Sequence, residues 1–133
     1  MPTKSIRPKE EDVHAAVCKF IDLQYPNVIY LSDASGIRLP VGLAVKFSKL
    51  RCKRYKIPDL IILHPNKVYH GLIIEIKRDR DEVYTKRGEI KKSEHIQEQF
   101  KSLVALSDLG YCALMRCGFD EVVDLIKIYM AIN

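Results

Sequence analysis

The chain has no apolar run long enough to cross a bilayer. Its apolar runs, Leu60–Leu63 and Leu72–Ile74 among them, fall far short of the ~20 residues that a spanning helix needs. The basic start, Met1 to Arg7, is followed by no apolar stretch, so no secretory signal is read there and a cytoplasmic location is expected. None of the four cysteines, Cys18, Cys52, Cys112 and Cys117, belongs to a CxxC pair. Reduced, mostly packed thiols are expected; zinc on Cys112 and Cys117 would lack its second pair of ligands. Glycine and proline number only six each and fall between periodic segments. With no repeat, low-complexity tract or linker to divide it, the stretch 1–133 reads as a single domain. Acids are the scarcer charge: 17 Asp and Glu against 22 Lys and Arg leave a net +5. That excess permits a polyanionic partner without demonstrating one.

Periodicity supplies the elements. Glu10 to Leu23 reads as a helix, with Val13, Val17, Phe20 and Ile21 on one stripe. Val28 to Leu31 reads as a strand and 32–38 as a polar turn containing Gly36. Pro40 opens a short helix with Leu43, Phe47 and Leu50 inward. Asp59 to Leu63 is a continuous apolar run after its first residue, as in a strand buried on both faces. His64-Pro65-Asn66-Lys67 suits a four-residue turn, and Val68 to Lys77 returns as its hairpin partner. The charged stretch 78–92 reads as a mobile surface loop with a helical start. A helix from Ser93 to Asp108 closed by Gly110, a strand from Tyr111 to Cys117 and a helix from Phe119 to Met130 complete the order α-β-α-β-β-α-β-α. The fold class is therefore α/β, a mixed sheet with helices on both faces.

The polar residues that break the apolar strands are the informative ones. In Glu75-Ile76-Lys77 the two charged side chains share one face of a strand. Asp59 begins the paired strand, so a hairpin brings Asp59 and Glu75 to the same end of the sheet. Two carboxylates that close repel unless a cation lies between them. Oxygen ligands of this kind suit Mg²⁺ or Mn²⁺, and a neighbouring lysine can orient or deprotonate a water or stabilise charge on phosphorus. Such a site suits phosphodiester hydrolysis. At about 100° per residue, Glu10 lies within the stripe of Val13, Val17 and Ile21, whereas Glu11 faces solvent. Taken alone, a Glu-x-Lys is an ordinary surface pair, and an N-terminal helical glutamate is favoured by the helix dipole.

Together, Glu10-x-x-Val13-His14, Pro58-Asp59, Glu75-Ile76-Lys77 and Gln99, eleven residues before Gly110, resemble the PD-(D/E)XK nuclease superfamily. More narrowly they resemble its VRR-NUC domain family in the small stand-alone form, which is similar to Holliday-junction resolvases. The resemblance runs from about Glu10 to Met130. It implies a restriction-endonuclease-like α-β-β-β-α-β core with an extra helix near Pro40–Leu50. It also implies metal ligation by Glu10, Asp59, Glu75 and the carbonyl of Ile76, with Lys77 as the catalytic lysine and Gln99 beside it. His95, four residues before Gln99 on the same helix face, is expected at the rim. The chain departs from the family at Ser32-Asp33-Ala34-Ser35-Gly36, where an Asn-Gly-Gly-like turn is common, and at 51–57, where glycines are common.

Lys46, Lys49, Arg51, Lys53, Arg54 and Lys56 fall in eleven positions without an acid and lead directly to Asp59. Clusters of this kind give salt-sensitive, sequence-independent contacts to phosphates. The expected activity is Mg²⁺- or Mn²⁺-dependent cleavage of DNA, branched or junction-containing, with DNA repair as the expected setting; the resemblance to the superfamily implies 5′-phosphate and 3′-hydroxyl ends. Two symmetric cuts need two sites, so a homodimer is expected. The surfaces available to it are Leu39, Val41 and Val45 near the second helix, and Leu125, Ile128 and Met130 on the last. The alternatives are a catalytically silent nucleic-acid-binding module and a flap or single-strand nuclease subunit of a larger machine.

Overall fold

Helices and strands follow one another in the order expected from periodicity. The computed structural model describes residues 9–33 and 38–133. Its elements are α1 (Glu10–Gln24), β1 (Tyr30–Ser32), α2 (Val41–Ser48), β2 (Leu60–Ile62), β3 (Leu72–Lys77), α3 (Glu94–Asp108), β4 (Cys112–Cys117) and α4 (Gly118–Met130), with a single 3-10 turn at Arg80–Glu82 before α3. The expected turn around Gly36 falls on 34–37, outside the described residues. None of the described helices is long and apolar enough to cross a membrane.

The sheet order is β1-β2-β3-β4, antiparallel except for the parallel pair β3 and β4. Side-chain alternation divides it between two cores. Leu60, Ile62, Leu72, Ile74 and Ile76 pack with Val13, Val17 and Ile21 of α1 and Val122, Ile126 and Tyr129 of α4. On the other face, Ile73, Ala113, Met115 and Cys117 pack with Leu103 of α3 and Val83. All six residues of β3 are buried, which is why Leu72, Ile73 and Ile74 run apolar on both faces before the polar Glu75 and Lys77. Full burial of each such aliphatic side chain stabilises the fold by about 1.5–3 kcal/mol. Gly110 closes α3 with φ 98°, and a Cβ there would lie 2.5 Å from the His70 ring. Both the left-handed backbone and the close approach require glycine.

The structure corrects the expected hairpin. A four-residue turn would set Leu63 opposite Val68. The observed register is Leu60↔Ile74 and Ile62↔Leu72, so the connection spans 63–71. Asn66 builds a turn inside it, its side-chain oxygen accepting from the backbone N–H of Val68 (2.9 Å) and Tyr69 (2.8 Å). The difference is an odd number of residues, and an odd slip moves side chains to the opposite face. The shorter turn would have placed Asp59 across from Leu72, facing away from Glu75. The observed register brings Asp59 level with Glu75 on the α3 face.

Two further expectations change. The stripe Leu43, Phe47 and Leu50 is not inward: α2 has no buried residue, and these three are 43%, 40% and 81% exposed. On α4, Leu125 belongs to the core, and Ile128 alone of the expected surface trio is well exposed, at 67%. The segment 78–92 is locally built rather than featureless. Val83 is buried, its carbonyl accepts from Lys91 N–H at 2.7 Å, and Tyr84 bridges to Ile90.

Candidate metal and catalytic site

Pro58 is fully buried, which anchors the chain just before Asp59. The Asp59 carboxylate accepts a hydrogen bond from Ile76 N–H at 2.8 Å, tying the start of β2 to the end of β3. Glu75 and Lys77, alternate residues of β3, are 5% and 3% exposed. Glu10 enters from the first turn of α1, where the helix dipole favours acids, and its Oε1 lies 4.0 Å from Lys77 Nζ. Glu11 is exposed, as the helical wheel requires. One carboxylate oxygen from each of Glu10, Asp59 and Glu75 falls within 4.8 Å of the others.

Gln99 interrupts the buried stripe of α3 between Ile96 and Leu103. Its Nε2 donates to Glu75 Oε1 at 2.8 Å. Its Oε1 is buried with no hydrogen-bond partner among the described residues. Leaving such an acceptor unmet costs about 1–3 kcal/mol, so the site presents an unfilled demand for a donor. Gln99 is therefore a buried residue of the site and not a solvated one.

The charges are equally uncompensated. Burial pushes the Glu75 carboxyl up to about 9, reinforced by Asp59 and only partly opposed by Lys77. Burial likewise raises Glu10 to about 7; Lys77 opposes this, while Glu82 and Asp59 add to it. Glu10 and Glu75 hold their protons more tightly because burial and the neighbouring carboxylates outweigh the one ammonium of Lys77. The donors are all oxygen, and with the orphaned Gln99 acceptor they fit a hard divalent ion with its hydration water.

These groups line a cavity of about 840 Å³. Of the six basic residues expected to meet phosphate, Arg51, Lys53, Arg54 and Lys56 line it, whereas Lys46 and Lys49 do not. All six are exposed. Lys53 Nζ donates to the Ser48 carbonyl, and Lys56 Nζ sits 3.1 Å from His95 Nδ1. His95 joins the lining; burial lowers its pKa, helped by Lys77 and Lys56.

The sequence reading assigned no role to four neighbours of the cluster. Glu82 stands against Glu10 and pairs with Arg78 at 3.1 Å. His14 Nε2 lies 2.9 Å from Ser32 Oγ, and Cys18 Sγ lies 3.6 Å from that oxygen. His14, Cys18 and Ser32 share the cavity lining with Glu10. The spacing 10, 14, 18 was the available signal, since residues four apart share a helix face. Nothing local announces Glu82, which the 3-10 turn carries into place.

A mixed sheet covered by helices on both faces, with an acidic cluster and a buried lysine at one end, defines a restriction-endonuclease-like domain of nuclease type. No family model matches the chain, and no curated protein matches it. A solved structure described as a VRR_NUC domain protein is similar over 98% of this chain and 93% of its own, with 26% sequence identity and a TM-score of 0.65. That likeness supports the VRR-NUC resemblance carried by Glu10, Asp59, Glu75 and Lys77.

Proposed function

We propose that the chain is a metal-dependent endonuclease that hydrolyses DNA phosphodiester bonds, selecting branched substrates such as four-way junctions. The observation that carries this reading is the convergence of Glu10, Asp59 and Glu75 beside Lys77 in a cavity with a basic wall. Glu10, Asp59, Glu75 and the Ile76 carbonyl would hold Mg²⁺ or Mn²⁺. Bound there, such an ion supplies Lewis-acid stabilisation of charge on the scissile phosphate.

The chain's own groups do the rest. Ile76 N–H fixes the Asp59 carboxylate. Lys77, held against Glu10 and excluded from solvent, directs its ammonium at the attacking water or the phosphate oxygens. Gln99 orients Glu75 through Nε2 and leaves Oε1 to accept from that water. Arg51, Lys53, Arg54 and Lys56 meet the phosphates that flank the cut, and Lys46 and Lys49 meet phosphates further out. We place the activity in the cytoplasm, in processes that resolve branched DNA, repair among them.

The test is cleavage of labelled duplex, flap, splayed and four-way DNAs with Mn²⁺, comparing wild type, Glu10→Ala and Glu11→Ala. The expected ranking is four-way and other branched DNA above duplex. Glu10→Ala should lose at least the roughly 10–100-fold that outer supports of a metal site cost, and Glu11→Ala about twofold at most, as for an exposed residue. Equal loss in both variants would show that the α1 register does not select Glu10. Binding without cleavage by wild type would leave a silent nucleic-acid-binding module.

A second copy of the chain supplies the second active site. A helix with no buried residue is not covered by any core among the described residues. On α2, Val41, Val45 and the adjoining Leu50 are 82%, 49% and 81% exposed, an apolar strip suited to an isologous contact. Sedimentation equilibrium at micromolar protein should return a dimer mass for wild type and a monomer mass for Val41→Glu/Leu50→Glu. A monomer that still cuts both strands of a junction together would remove the dimer from the mechanism.

A further inference from the structure

The loop that walls the cavity carries an aromatic ring among its cations. Tyr55 is 41% exposed, and residues 51–56 around it are all exposed, so no apolar core explains it. Among the described residues lining the cavity that holds Glu10, Asp59, Glu75 and Lys77, it is the only Phe or Tyr. Its hydroxyl makes no hydrogen bond among the described residues. Single exposed apolar groups are common on protein surfaces, and exposure alone would say nothing. The placement is what differs. From α3, Lys101 Nζ lies 5.5 Å from the ring centroid, within the roughly 6 Å of a cation–π contact. That contact restrains the ring, while 41% of the residue remains exposed for a ligand to meet. Arg54 and Lys56 flank the ring in sequence and line the same cavity.

We propose that Tyr55 is a stacking platform for a nucleobase next to the scissile phosphate. The site therefore selects DNA in which at least one nucleotide beside the cut is unpaired. This rests on the nuclease reading above and adds the state of the substrate strand. A paired base inside a duplex has both faces covered by its neighbours, so a protein ring can stack only on a base released from the helix. An aromatic platform combined with cations that follow the backbone is the general solution for holding single-stranded nucleic acid. The cations act on any DNA, in a salt-dependent way. The ring acts only where a base is free, and it discriminates flaps, loops and branch points that release a base from uninterrupted duplex without reading sequence.

The experiment compares wild type, Tyr55→Phe and Tyr55→Ala on two DNAs of one sequence, a continuous duplex and a duplex with one unpaired 2-aminopurine nucleotide beside the cut. Binding is read by anisotropy and by 2-aminopurine quenching in the Lys77→Ala background; kcat and KM are read in the active background. The melting temperature checks each fold, which an exposed side chain should leave unchanged. Tyr55→Ala should weaken binding to the unpaired substrate by about five- to a hundredfold, chiefly through KM. It should lose the quenching and leave duplex binding within about twofold. Tyr55→Phe should behave as wild type, and an abasic site in place of 2-aminopurine should remove the difference between variants.

Equal weakening on both DNAs, or no weakening on either, overturns the stacking proposal while leaving the nuclease reading in place. Absence of cleavage by wild type, with quenching still dependent on Tyr55, overturns the nuclease reading and sustains the stacking site.

Discussion

Lys77→Ala should lower the single-turnover cleavage rate by about a thousandfold or more while leaving the fold and DNA binding close to wild type. General acid–base assistance contributes about 10²–10⁴-fold, and a single electrostatic donor at a developing charge about 10²–10³-fold. Lys77 is placed to act in either capacity: it is 3% exposed and lies 4.0 Å from Glu10. Removing a buried cation from among carboxylates is usually costly, because the partners are left charged and unpaired. Here the partners can escape that cost. Burial already pushes Glu75 up to about 9 and Glu10 to about 7, and Lys77 is what holds both lower. Without it both carboxyls protonate more readily, so the metal-free variant should remain folded at neutral pH. Quenched-flow cleavage with Mn²⁺, melting curves and gel shifts on one preparation separate the effects. Cleavage near the wild-type rate would show that Lys77 takes no part in the chemistry.

The site was legible wherever a polar residue violated an otherwise apolar pattern. Glu75 and Lys77 stand on a strand whose every residue is buried, and two-residue periodicity alone puts them on one face. The helical wheel separated Glu10 from Glu11 because Val13, Val17 and Ile21 fix the buried face of α1. What stayed hidden depends on contacts remote in sequence. The hairpin register is set by an Asn66 side chain bonding to two backbone amides, and turn composition does not reveal that length. The same register decides whether Asp59 faces Glu75, so the convergence of the two acids follows from a turn that local rules misjudge. For α2, spacing identified an apolar face but could not say that none of it is buried among the described residues. The bond of Gln99 to Glu75 joins residues from α3 and β3, and composition alone favoured a solvated residue there.

Glu75→Gln should separate the two costs this cluster carries. In the metal-free protein the folded-state pKa of Glu75 is raised from 4.5 to about 9. A raised acid contributes its stability while protonated, below about pH 4.5, and loses it progressively as pH climbs toward the folded value. Metal-free wild type should therefore melt at steadily lower temperature from pH 5 to pH 9. Glutamine mimics the protonated acid and keeps an acceptor for Gln99 Nε2, so the variant should lose most of that slope and melt higher than wild type at pH 8. Each kcal/mol corresponds to about 4 °C in a domain of this size, so a difference of several degrees is expected.

Divalent ion reverses the order. An ion bound only by the folded state stabilises it by RT ln(1 + [L]/Kd), about 2.7 kcal/mol at a hundred times Kd. Wild type should gain that increment in millimolar Mg²⁺ or Mn²⁺, with more gained as pH rises and the carboxyls release their protons. Glu75→Gln should gain little, show no calorimetric heat of metal binding, and cleave no DNA. Thermal melts across pH 5–9, with and without metal, supply every comparison. Equal metal stabilisation of wild type and Glu75→Gln would remove Glu75 from the ligand set. A flat pH profile in metal-free wild type would show instead that the three carboxylates are already compensated by the protein itself.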